Sequence, residues 1–188
     1  ATVIATLVLA ALAGGAPSNG GFERGDLKGW KKKTTAGGDW VAYVGPSDNG
    51  EASMPPAPQG TYAAAGVQDD ASAGFLYRKL KLRKNHKIKL SFYVFYDNAA
   101  EEGFRTPKHF KVSLDQRNQQ YRIDLLRQGA PIQSLKKRDV LKTLFRTRRG
   151  DPDKLAPKKL SFNLTKFAGR TVTLRFAFAT NLFYMTTG

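Results

Sequence analysis

The chain has no cysteine among its 188 residues. It can form neither a disulfide framework nor a thiolate metal site. Its fold must therefore rest on a hydrophobic core, which a chain this long can build by itself. Histidine is nearly as scarce. His86 and His109 have basic neighbours (Lys84 and Lys87; Lys108 and Lys111), and neither has a companion at metal-ligand or triad spacing. No G-x-S-x-G elbow, phosphate loop or dinucleotide fingerprint occurs. No internal repeat is present. No apolar run reaches the ~20 residues needed to cross a bilayer as a helix.

Acids are the other shortage, 15 against 31 bases. A glycosidase needs two carboxylates flanking a cleft. Glu101 and Glu102 are adjacent in a loop and point opposite ways if extended. Asp124 alternates with Ile123 and Leu125 on an outer face beside Arg122, and Asp151-Pro152 starts a turn. These acids are read as structural, and the chain as non-catalytic. The resulting charge of +16 is uneven. Residues 1–75 hold five bases against seven acids; residues 76–188 hold 26 against eight. So positive a field attracts polyanions: acidic polysaccharide, anionic membrane or nucleic acid. The run RKLKLRKNHKIK over residues 78–89 has seven bases and no acid. It lacks interleaved aromatics and so reads as a polyanion strip, with Arg78, Lys79 and Lys81 on it, and not as a sequence-specific nucleic-acid reader.

What is present is alternation. Ile88, Leu90, Phe92, Val94 and Tyr96 share one face of a strand, with Lys87, Lys89 and Ser91 on the other. The pattern repeats at Phe110, Val112 and Leu114, at Tyr121, Ile123 and Leu125, and at Val172, Leu174, Phe176 and Phe178. Weaker strands fall at 40–44, 61–65, 75–82 and 160–164, with Gly/Pro/Asn/Asp turns between them. The expected fold is all-β, a sandwich in a single domain over residues 18–188. One segment breaks the period. In 134–147, Leu141, Leu144 and Phe145 follow helical spacing, which predicts a short inserted helix whose other faces carry Lys136, Lys137, Arg138, Lys142 and Arg146.

Residues 1–16, ATVIATLVLAALAGGA, stand apart. The uncharged run 3–13 has the length of a signal-peptide core, and Ala11-Leu12-Ala13 offers a small-x-small cleavage pattern, which implies export. The alternative is a mature β-strand, since TVIATLVL is rich in β-branched residues and an exposed apolar strand can pair with a neighbouring sheet.

The stretch NGGFERGDLKGW (19–30) is too rich in glycine for a helix interior. With GTYAA (60–64), FLYRKLKL (75–82), KLSFYVFYDN (89–98), NQQYRIDLL (118–126), LSFNLTKFAGRTVTLRFA (160–177) and NLFY (181–184), it resembles, in that order, secreted bacterial jelly-roll modules of the galactose-binding and carbohydrate-binding superfamily. The resemblance covers nearly all of the chain after residue 18. It implies a jelly roll, a structural Ca²⁺ with Glu23 as a carboxylate ligand, Phe22 and Trp30 packed into the core, and carbohydrate binding. It also implies a further strand beyond Gly188, whose gap the segment 1–13 can fill in cis or from a neighbouring subunit. Sugar-stacking candidates are Trp40, Tyr43, Tyr93, Phe95, Tyr96, Phe183 and Tyr184. The function expected is binding of an anionic glycan or cell-surface polymer. The alternative is a structural or adhesion subunit that assembles by donor-strand exchange through its apolar N-terminus.

Overall fold

A computed structural model describes residues 4–7, 19–35, 37–48, 53–68, 70–100, 103–112 and 117–181. The architecture is all-β. In chain order the strands are β1 (Ile4–Leu7), β2 (Lys31–Thr34), β3 (Gly38–Tyr43), β4 (Ser47–Asp48), β5 (Ser53–Met54), β6 (Ala63–Gln68), β7 (Ser72–Lys81), β8 (Lys89–Asp97), β9 (Gln119–Arg127), β10 (Val140–Arg146), β11 (Lys154–Asn163) and β12 (Thr171–Thr180). One sheet has the order β11-β8-β1-β6-β3, the other β10-β9-β12-β7-β2, and β4 pairs with β5. Every pairing is antiparallel. The two large sheets share one hydrophobic core, as in a β-sandwich.

The period-two reading locates that core. Ile88, Leu90, Phe92, Val94 and Tyr96 are all buried, as are Tyr121, Ile123 and Leu125, and Val172, Leu174, Phe176 and Phe178. Phe176 ties the sheets together, with its ring 5.8 Å from Phe92 on β8 and 5.8 Å from Trp30. The glycine-rich 19–30 stretch closes on itself. The Asn19 side chain donates to the carbonyls of Asp26 (2.9 Å) and Lys28 (3.1 Å), and Trp30 Nε1 donates to the Asn19 carbonyl at 3.2 Å. Phe22 sits at φ +66° and stacks on Trp30 at 5.3 Å, so the loop is plugged into the core by two rings.

Two expectations are corrected. No helix forms over 134–147: Val140–Arg146 is a strand preceded by turns. Its ladder with β9 shifts register between Val140 and Lys142 and again between Thr143 and Phe145. Each shift inserts one residue, Leu141 and then Leu144. Two insertions in seven residues turn an alternating pattern into one that mimics helical spacing. The strand expected at 110–114 is also missing over its described part. Phe110 and Val112 lie in a loop packed on a small cluster of Ala73, Phe75, Ala177 and Ala179, on the outer face of the second sheet. Leu114 is outside the described residues.

Strand β1 enters the first sheet at its middle. Ala5 pairs with Ala65 on β6, and Leu7 pairs with Tyr93 on β8. In the sheet order β6 and β8 are neighbours of β1 and not of each other.

Replacing Phe176 by alanine removes the ring shared by the two sheets. Truncations of this kind cost about 3–5 kcal/mol. Urea unfolding followed by circular dichroism is expected to show a loss of that size with no change in the native spectrum.

Candidate functional site: a basic groove over the second sheet

The outer face of the second sheet carries charge where an outer face is usually wet. Arg122 and Asp124 on β9 and Arg175 on β12 are nearly or wholly buried there. The β9–β12 register places Asp124 opposite Arg175. Arg122 grips the Asp124 carboxylate with two hydrogen bonds, both at 2.8 Å. Arg175 makes a second ion pair with it, and Thr143 Oγ1 on β10 donates to it at 2.9 Å. Burial alone pushes the Asp124 carboxyl up. The hydrogen bonds and positive charges of Arg122 and Arg175 outweigh that and hold it below its ordinary 3.8. Arg175 also donates to the carbonyls of Ile132 and Ser134 (3.0 Å for the latter) and lies 5.3 Å from the Phe110 ring. One buried guanidinium thus pins both loops that cross this face, around Phe110 and around Ile132.

Between those loops and β10 runs an open groove of about 1440 Å³. Arg122 and Thr143 belong to its floor. Lys108 and Lys111 come from one loop, Lys136, Lys137 and Arg138 from the other, and Arg127 from the end of β9. Lys33 comes from β2, and Lys142 and Arg146 from β10. Asp139 is the one acid in the lining. It accepts hydrogen bonds from Ser134 Oγ (2.6 Å) and Arg127 Nε (3.0 Å), and these hold its carboxyl below the ordinary value. That carboxylate is already matched by Arg127, so the lining is positive overall. Phe75 and Phe110 meet edge to face at 5.1 Å and add an apolar patch.

None of the ligand residues expected from the sequence lines this groove. Trp40 and Phe95 are 0% exposed and sit in the core, so neither can stack on a sugar from solvent. Trp40 packs 5.7 Å from Phe178 instead. Tyr43 is half-buried, with its hydroxyl donating to the Pro55 carbonyl, and burial pushes its pKa to about 12. Tyr96 is in the core. Tyr93 is half-buried on the first sheet, with Lys159 Nζ 5.7 Å from its ring. Arg78 lies 5.9 Å from the Trp30 ring, while Lys79 and Lys81 are exposed on β7. Phe183 and Tyr184 fall outside the described residues. The clue to the groove was in the sequence, as Lys136, Lys137, Arg138, Lys142 and Arg146, attributed there to a helix.

Glu23 is exposed, and its carboxylate accepts the Thr61 N–H at 2.9 Å. It lies so close to Gly60 that any Cβ there would collide with it. A calcium shell needs six to eight oxygens, several from carboxylates. Among the described residues no three His, Cys, Asp or Glu side chains come together. The Glu23 carboxylate holds the Gly60–Thr61 turn against the 19–30 loop. The remaining acids also have structural partners. Asp151 accepts the Arg148 N–H at 2.7 Å, and Asp153 accepts from Asn98 at 2.8 Å. Glu101 and Glu102 are outside the described residues.

Asp124→Asn leaves two buried guanidinium groups without their anion, and breaking such a pair costs about 3–5 kcal/mol. Urea titration at neutral pH is expected to show that loss. Because the folded-state carboxyl titrates below 3.8, its contribution is complete above that pH and fades as pH falls through the folded value. Melting temperatures recorded down a pH series are therefore expected to drop more steeply in acid for the wild type than for Asp124→Asn. No family model, no curated protein and no solved structure matches the chain.

Proposed function

We propose that the protein is a secreted, non-catalytic module of jelly-roll type that binds an anionic glycan or cell-surface polymer in the basic groove. The observation that carries this reading is the composition of the groove wall: lysines and arginines from β2, β10 and both crossing loops, with a single acid already matched by Arg127. Positive side chains along an open channel suit a chain-like polyanion, whose repeated charges meet several cations at once. The Phe75–Phe110 patch offers an apolar face for a sugar ring beside them. Support for a non-catalytic role comes from the acids around the groove. Asp124 is held ionised by Arg122 and Arg175, and Asp139 by the Ser134 hydroxyl and Arg127, so neither is poised as a proton donor. Export rests on the resemblance of residues 19–184 to secreted jelly-roll modules; the apolar run 3–13 is read as retained, because Ile4–Leu7 forms β1 in the first sheet. Among the described residues no helix is long and apolar enough to cross a membrane.

The test is calorimetric titration with three polymers: a heparin-type sulfated polysaccharide, a polyuronate and a neutral β-glucan. Saturable binding of the anionic chains is expected, weakening with salt as exposed charges are screened. Reversing Lys136, Lys137 and Arg138 to glutamate is expected to lower affinity at least about tenfold. Reversing Lys79 and Lys81 on β7 is expected to leave it within about twofold. Equal binding of the neutral glucan, or equal losses from the two charge reversals, would remove the groove as the site.

A further inference from the structure

Among the described residues, β1 is the strand that joins the two halves of the first sheet. Without it, β11–β8 and β6–β3 would face each other across a gap one strand wide, each with an open ladder of backbone donors and acceptors. Among the described residues, Ile4, Ala5 and Thr6 pair with β6, and Thr6 and Leu7 with β8. In sequence, residues 8–18 (VLAALAGGAPS) separate this strand from the Asn19 loop that anchors the body of the fold. A central strand joined to the body of the fold by a sequence with a Gly-Gly and a Pro can be exchanged between copies. The same register can be supplied by any copy of the chain, because the pairing is made by backbone groups and is indifferent to which molecule donates it.

The outer edges of the sheets point the same way. Edge strand β11 carries Lys154, Lys158 and Lys159, a proline at 157 and a register shift between Leu155 and Lys158. Edge strand β2 begins with three exposed lysines. Edge strand β10 has two register shifts and two basic residues, Lys142 and Arg146. Lysine, proline and irregular ladders are the features that block edge-to-edge addition of strands. Three of the four edges are thus guarded against pairing with another molecule, while the β6–β8 gap accepts a strand from within.

We infer that the β6–β8 gap is an intermolecular strand-acceptor site and that its partner is β1 of a second copy of this chain. Reciprocal exchange gives a closed dimer; one-way exchange gives an open chain of subunits. The gap lies in the first sheet and the basic groove on the second, so the inference is independent of the polymer-binding reading.

Cysteine trapping tests it cleanly, because the chain has no cysteine of its own. Directly paired antiparallel residues lie within disulfide range. Ala5→Cys and Ala65→Cys chains are prepared separately, unfolded in urea, mixed, refolded together at high concentration and oxidised. A disulfide-linked heterodimer on a non-reducing gel is expected, and it forms only if β1 of one chain enters the gap of another. In the Ala5→Cys/Ala65→Cys double variant, the linked species are expected to shift from monomer to multimer as refolding concentration rises. An intrachain bond at every concentration, with no heterodimer from the mixture, overturns the inference; so does the failure of both bonds in folded protein. The pair Leu7→Cys and Tyr93→Cys, on the β8 side of the gap, repeats the test should Ala65→Cys fail to fold.

Discussion

Arg175 is a cation with no access to water, and the second sheet is organised around keeping it satisfied. Its ion-pair partner among the described residues is Asp124, directly across the ladder, and that carboxylate is shared with Arg122. Two cations around one anion leave a net positive charge inside the protein. Such a charge is costly unless hydrogen-bond acceptors take up most of the remaining donors. The carbonyls of Ile132 and Ser134 do this for Nη1 of Arg175, the Phe110 ring covers its flank, and Nε has no hydrogen-bond partner among the described residues. The loops that carry these groups are therefore part of the ion-pair network.

The groove follows from that constraint. If the loop around Ile132 and Ser134 must reach Arg175, the residues just after it rise away from the sheet, and Lys136, Lys137 and Arg138 become its exposed wall. If Phe110 must sit on Arg175 and Phe75, Lys108 and Lys111 are carried to the opposite wall. The shape is set by satisfying one buried guanidinium, and the charge of the walls comes from the residues that flank the contact points. A network tuned for stability thus presents a surface suited to polyanions.

Much of the fold was legible as alternation. β8, β9 and β12 have apolar residues at period two, and the face of each that meets the core between the sheets is the one that the pattern assigns. Asp124 was legible too, placed on an outer face beside Arg122 because it alternates with Ile123 and Leu125. What failed has a physical reason in each case. The two register shifts in β10 disguised a strand as a helix. Phe110 and Val112 alternate because they cover a patch on the outer face, and not because they join a ladder. Trp40 and Phe95, candidates for stacking on a sugar, lie in the core, where aromatic side chains contribute much of the burial. The site itself was illegible because its walls come from β2, β10 and two loops far apart in the chain.

The sequence by itself determined what the molecule could be made from: no cysteine and a strongly basic C-terminal half, with strands whose core faces repeat every second residue. Those are local or compositional properties, and local sterics and apolar burial express them directly. Only the tertiary structure decided which strands are neighbours, and so that Asp124 meets Arg175 and that β1 lies between β6 and β8. Strand order depends on pairing between residues distant in sequence, where register is chosen by the combined fit of two faces and a ladder. No single segment contains that information, because each face is judged against a partner that the chain brings up only on folding.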